Sequence, residues 1–206
     1  MTKVFIDTNV FLDMYRANLQ SDISTLMGFL FKNKKHFITT EQSINEFMRN
    51  RLSILEEALE SFKKSSTIDK GSSSFLRSLS SFKKYDEALT KYRTQRQAII
   101  DEIQEKIEDS TKDLIYSKFK KLCHPNYVIG TTSEIIDLAS RRKLSGNPPT
   151  SDKYTCGDEI IWESLLAYEC QQKEDLIIVS NDKTFIRNKE FLTDEYARKT
   201  GKSLAI

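Results

Sequence analysis

Apolar residues in this chain recur in two periods. Residues 3–7 ("KVFID") and 175–182 ("DLIIVSND") carry apolar runs of strand length that end on polar residues, and "HFITT" (36–40) reads as a shorter strand. Elsewhere the spacing is helical. Ile23, Leu26, Met27, Leu30 and Phe31 predict a helix over 22–33. Ile44, Met48, Leu52, Leu55, Leu59 and Phe62 form one stripe of a helix running to about residue 64. Thr39 or Thr40 suits its N-cap, with Gln42 as capping-box partner to Thr39. The strand over 3–7 should end in a loop at Asp7-Thr8-Asn9.

The middle of the chain reads differently. "KSSTIDKGSSS" (64–74) is polar and Ser-rich, as expected of an exposed link. Residues 84–122 predict one long charged helix with a narrow apolar seam at Leu89, Tyr92, Ile99, Ile103, Ile107 and Leu114, which plain helix packing explains. Residues about 51–122 therefore form a helical hairpin inserted in the remainder. That surface could take a second copy of the chain or a partner protein. After it, Thr132 or Ser133 caps a short helix, 145–157 is a Pro- and Gly-bearing loop, and 158–170 is an amphipathic helix that opens on an acid. "KSLAI" (202–206) begins a further strand that is clipped at Ile206, as expected of the N-terminal part of a longer protein.

Strands alternating with helices predict an α/β fold: three layers, α/β/α, around a mostly parallel sheet, in a single domain over 1–206 that carries the insert. The 206 residues suffice for a sizeable core. Charged residues are 30% of the chain and the net charge is +2, so any nucleic-acid binding must come from local clusters such as Lys118, Lys120 and Lys121, or Arg141, Arg142 and Lys143. Taken singly, each cluster reads as a solvated face. No apolar stretch approaches the roughly 20 residues of a membrane span, and the N-terminus lacks the pattern of a signal peptide. Three cysteines without ligand spacing and two histidines, His36 and His124, argue against structural zinc and fit a reducing, cytoplasmic setting.

The chemistry lies in four acids. Asp7 and Asp182 follow two strands, Glu46 lies in the first turns of the helix after "HFIT", and Asp158 opens the helix after the Pro-rich loop. In a parallel sheet all four can meet beyond the carboxyl ends of the strands. Singly each has an ordinary explanation: an Asx-turn at Asp7, an i,i+3 pair of Glu46 with Arg49, a helix cap at Asp158, turn chemistry at Asp182. Gathered, four unpaired carboxylates would repel one another until some were neutral, unless a divalent cation joined them. Oxygen ligands of this kind suit Mg²⁺ or Mn²⁺, which lower the pKa of water and stabilise charge on a phosphate.

"VFIDTNVFLDMY", "EQSINEFMRNR", "GDEIIWESLL" and "IIVSNDKTF" resemble, in order, the acidic motifs of PIN-like domain nucleases. The loop "NPPTSDK" is similar to that of a bacterial PIN-like subfamily with an enlarged helical insert. The resemblance covers roughly 1–50 and 125–206 and says little about 51–122. It implies a catalytic metal site of Asp7, Glu46, Asp158 and Asp182, with Asn9 and Ser180 as polar supports. Arg49, Arg51 and Lys153 would be phosphate contacts. It also implies Mg²⁺- or Mn²⁺-dependent phosphodiester hydrolysis, usually of single-stranded or structured RNA, with DNA as an alternative substrate.

Two rivals among acid-bearing α/β proteins fit less well. An aspartyl-phosphate phosphatase wants a second acid two residues after the first, where this chain has Asn9. A receiver-type phosphorylation domain needs no long helical insert. The alternative from another class is a catalytically inactive PIN-like module that binds nucleic acid or protein, and the presence of all four acids favours the enzyme.

Overall fold

A computed structural model of the chain describes residues 2–16, 20–65 and 73–206. The elements run β1 (Thr2–Ile6), α1 (Thr8–Arg16), α2 (Gln20–Lys32), β2 (Phe37–Thr40), α3 (Glu41–Lys64), α4 (Ser74–Ser78), α5 (Phe82–Glu108) and α6 (Leu114–Leu122). They continue with β3 (Val128–Ile129), α7 (Ser133–Leu144), α8 (Gly157–Gln172), β4 (Asp175–Val179), α9 (Lys183–Arg187), α10 (Lys189–Thr200) and β5 (Leu204–Ala205). The exposed link expected over 64–74 falls largely outside the described residues.

The chain forms two compact units, Met1–Arg51 with Lys118–Ile206, and Leu52–Ser117. The first holds a five-stranded, all-parallel sheet in the order β3-β2-β1-β4-β5, flanked by helices as the α/β reading expects. The chain builds outward from β1 to β2 and β3, then returns to add β4 and β5 on the other side. The strand order therefore reverses between β1 and β4, where open parallel sheets form a crevice beyond their strand ends. Those two strands pair over five residues, from Thr2 with Asp175 to Ile6 with Val179. Phe5, Ile38, Leu176 and Ile178 from the sheet pack with Ile161, Trp162, Leu165, Leu166, Phe185, Leu192 and Tyr196 from the helices. A second cluster joins Phe11 and Phe37 to Phe119, which lies 3.9 Å centroid to centroid from Phe47 in a stacked pair. That stack anchors the first turns of α3, the segment that carries Glu46.

Several local expectations are corrected. Thr8 and Asn9 are not a loop: α1 begins at Thr8, directly after Asp7. Thr40, not Thr39, caps α3, its hydroxyl accepting from the Ser43 N–H at 3.1 Å, while Gln42 is engaged elsewhere. Met48 and Leu52 are exposed, and the buried positions of α3 are Ser43, Phe47 and Arg51, then Ile54, Leu55 and Leu59. The single helix expected over 84–122 is broken. Asp109 ends α5 and accepts from the Thr111 N–H at 2.9 Å, and Asp113 restarts the helix by accepting from Ile115 and Tyr116. These short acids outbid the helix by bonding backbone N–H groups locally. On α5 the buried positions are Leu89 and Ile100, while Tyr92 and Ile99 are exposed. Within the second unit, Arg96 donates to the carbonyls of Phe62 and Lys63 and so closes the C-terminal end of α3. The helix expected to be amphipathic, α8, is buried on most sides. Strand β3 was not anticipated, because two residues carry no readable period.

A buried charge network ties α7, α8, α10 and the loop 145–156 together. Arg142 donates from Nε to Glu163 (2.6 Å), from Nη2 to Glu195 (2.6 Å) and from Nη1 to the Pro148 carbonyl (2.6 Å). Trp162 Nε1 donates to the other Glu195 oxygen at 2.9 Å, and Lys199 lies 2.8 Å from Glu195. Burial would raise the Glu195 pKa, but the bonds from Arg142, Lys199 and Trp162 hold it down at about 2. A carboxyl depressed from its ordinary 4.5 contributes stability that is full above that value and lost as pH falls toward 2. Urea unfolding should show wild type losing about 2 kcal/mol more than Glu195→Gln between pH 5 and pH 3. Equal losses would show that Glu195 is not held as described.

Candidate active site

Asp7 is the residue between β1 and α1, and its N–H donates to the Val179 carbonyl at 2.9 Å, continuing the pairing with β4. Its side chain is therefore fixed at the reversal point of the sheet. Ser180, just past β4, donates to Asp7 Oδ2 at 2.6 Å and accepts from the Asp182 N–H at 2.9 Å. One hydroxyl thus joins the two strand ends. Asp182 caps α9, its Oδ1 accepting from both the N–H and the hydroxyl of Thr184 at 2.8 Å. The ordinary cap reading of Asp182 holds, alongside its position at the crevice.

Glu46 reaches the same crevice from α3. Gln42, one turn earlier, donates to its Oε1 at 2.7 Å. Opposite it stands Gly157, the first residue of α8. A Cβ there would lie 2.2 Å from Glu46 Oε1 and 3.0 Å from Gln42 Nε2. Glycine is needed at this position because the carboxylate occupies the space of a side chain. Asp158 follows in the first turn of α8, where unpaired N–H groups favour an acid.

The four expected acids line one cleft of about 280 Å³, together with Asn9, Arg49, Lys153 and three residues that the sequence did not flag: Asn50, Thr155 and Gly157. Gly157 was detectable only as the residue before an acid, and Asn50 and Thr155 carried no signal. Gln42, assigned a capping role from sequence, instead holds Glu46. Ser180 supports Asp7 from outside the lining. Arg51 is a correction to the phosphate-contact set: it is 4% exposed and does not line the cleft. Residues two apart on a helix face different ways, so Arg49 and Arg51 cannot serve one surface.

Burial and mutual repulsion act on these acids. Burial raises the Asp7 pKa, the Ser180 hydroxyl opposes that, and Asp182 adds to it. Burial raises Glu46, with Gln42 opposing and Asp7 adding. Asp158 is pushed up to about 7 by burial, against the pull of Lys153 and with the help of Asp182, Glu46 and Asp7. Among the described residues no three His, Cys, Asp or Glu side chains close into a ready metal cage. The donor set still fits a hard divalent cation. It is all oxygen, partly buried and mutually repelling, and Mg²⁺ keeps several waters while using only one or two carboxylates.

A sequence profile of the PIN domain family matches residues 4–185 of the chain. No curated protein and no solved structure matches it.

The origin of the Asp158 shift is testable in metal-free protein. Carbon-detected NMR should give an Asp158 midpoint near 7. Asp182→Asn, which keeps a good helix cap, should lower it, and Lys153→Met should raise it. Shifts of the opposite sign would mean that these charges do not share one cleft.

Proposed function

The chain belongs to the PIN domain family, whose members are generally metal-dependent nucleases, and on that premise we propose that it hydrolyses phosphodiester bonds of RNA at the cleft of Asp7, Glu46, Asp158 and Asp182. The observation that carries this reading is the convergence of four carboxylates from the β1 end, α3, α8 and the β4 end on one cleft, where burial first and neighbouring acids second raise Asp7, Glu46 and Asp158.

Asp7, Glu46, Asp158 and Asp182 would hold Mg²⁺ or Mn²⁺. The bound ion would supply a lowered water pKa and charge stabilisation at the phosphate. The chain's own groups do the rest. Ser180 orients Asp7 by donating to one oxygen, and Gln42 does the same for Glu46. Supports of this kind keep ligating carboxylates aimed. Arg49 and Lys153 put positive charge at the rim of an otherwise acidic cleft, where a substrate phosphate would be drawn in. Asn9 offers a neutral amide for the same purpose. The unit Leu52–Ser117 is read as a helical insert within a single PIN domain.

Incubation with unstructured RNA should give cleavage with Mn²⁺ and none with chelator, and Asp7→Asn should reduce it at least about a hundredfold. Cleavage that persists in Asp7→Asn would refute the site. Absence of any cleavage together with tight binding would make the protein a binding module. Ser180→Ala should cost about 10- to 100-fold in activity or metal affinity. Gly157→Ala should leave the fold intact, because the atom it meets is the tip of a flexible side chain, yet lose activity by displacing Glu46. A fully active Gly157→Ala would exclude Glu46 from the machinery.

Metal binding should also compete with a proton on Asp158. Its raised pKa of about 7 means that the carboxyl is mostly neutral below that pH. Mn²⁺ affinity, read by calorimetry, should then fall about tenfold for each pH unit below 7. A flat affinity between pH 7 and pH 5.5 would remove Asp158 from the ligand set.

A further inference from the structure

The loop that leads into α8 carries one feature the site does not use. Lys153 and Thr155 line the cleft, while Tyr154 between them does not and is 103% exposed. Among the described residues it is the most exposed large hydrophobic side chain, with Leu144 next at 88%. The loop is nonetheless tied down on both sides of Tyr154. Lys143 Nζ donates to the Ser151 carbonyl at 2.5 Å, Arg142 to that of Pro148 at 2.6 Å, and the Ile160 N–H donates to the Cys156 carbonyl at 2.9 Å. An aromatic ring therefore stands in water next to the cleft-lining Lys153, on a short stretch of loop anchored at Ser151 and Cys156.

We propose that Tyr154 is a stacking platform for a base of an unpaired nucleic-acid strand whose phosphate enters the cleft beside Lys153. This inference rests on the nuclease reading and narrows its substrate. A base in a duplex has both faces covered by its neighbours, so only a splayed strand can offer a free face to the ring. Phosphate contact by a cation and base contact by an adjacent aromatic is the usual division of labour in single-strand binding, and stacking is indifferent to base identity. The loop is anchored on both sides of Tyr154, so stacking would order mainly the ring itself and release its hydration water.

The test is binding by the full chain in the Asp158→Asn background with Mn²⁺, using fluorescence anisotropy. The probes are an unstructured RNA oligonucleotide, its DNA counterpart, the same RNA as a duplex, and the same RNA with its bases removed. Tyr154→Ala should weaken binding of the unpaired RNA about tenfold or more, while Tyr154→Phe and Tyr154→Trp retain it. Tyr154→Trp should also report the contact directly, by quenching of its fluorescence when the strand binds. The duplex and the base-free strand should bind Tyr154→Ala and the parent equally. Matching losses on the DNA strand would show that the platform reads the unpaired state rather than the sugar; losses on RNA alone would show that it reads both. Equal affinity of Tyr154→Ala and the parent for every probe would overturn the inference while leaving the nuclease reading intact. A parent chain that binds none of the probes would overturn both. Because the side chain is fully exposed, none of these variants can act by unfolding the protein.

Discussion

The parallel pairing of β1 with β4 is the constraint on which the site depends. It joins segments some 170 positions apart in the chain, and it sets their ends level: Ile6 faces Val179, and the Asp7 N–H then bonds the Val179 carbonyl. Once that register is set, Asp7 and the Ser180–Asp182 turn have no choice but to be neighbours. A slip of one residue would turn the Asp7 side chain to the other face of the sheet. The chain's order of strands puts this pair at the point where the sheet reverses its direction of growth, so the crevice and the acids coincide.

Gathering carboxylates there opposes folding, and the surrounding groups show how the cost is contained. Three of the four acids have a neutral partner that holds their orientation without cancelling their charge: Ser180 for Asp7, Gln42 for Glu46, Thr184 for Asp182. Neutral donors leave the remaining lone pairs directed at the cleft, whereas a salt bridge to each acid would have satisfied them. The positive charge of the lining comes from Arg49 and Lys153. Burial and mutual repulsion raise the pKa values of Asp7, Glu46 and Asp158, so a bound cation would favour their charged forms.

Much of this was legible because strand ends and helix starts are marked by residue type. An apolar run that stops on Asp, and a Gly-Asp pair before an apolar helix, identify the acids at Asp7 and Asp158 without any knowledge of their contacts. What the sequence did not carry is which side of a helix faces inward when both sides offer apolar residues. On α3 the spacing pointed to a stripe through Met48 and Leu52, whereas Phe47 and Arg51 are the buried positions, with Phe47 stacked on Phe119. That choice matters for function, since it buries Arg51 and leaves Arg49 at the cleft. The break in the long charged helix was hidden for a related reason: Asp109 and Asp113 read as solvated charges until their backbone bonds are seen. Gly157 was a loop residue by composition, and its role shows only in the 2.2 Å that would separate an added Cβ from Glu46 Oε1.

The buried network around Arg142 addresses a different problem, the position of the loop that brings Lys153, Thr155 and Asp158 to the cleft. In terms of stability alone, a buried ion pair is often no better than well-packed apolar residues of the same volume. An apolar residue at 142, however, could not fix a backbone carbonyl. Arg142 uses three different nitrogens for three different elements: Glu163 of α8, Glu195 of α10 and the carbonyl of Pro148 in the loop. The planar guanidinium makes those three directions rigid with respect to one another. Lys143, the next residue, repeats the arrangement one step further along, bonding the Ser151 carbonyl while lying 3.2 Å from Glu159 of α8. The loop is thereby referenced to the helix that begins with Gly157 and Asp158, so Lys153 and Asp158 belong to one framework. Beside the stability that Glu195 carries, the charged cluster contributes orientation to the loop that leads into α8.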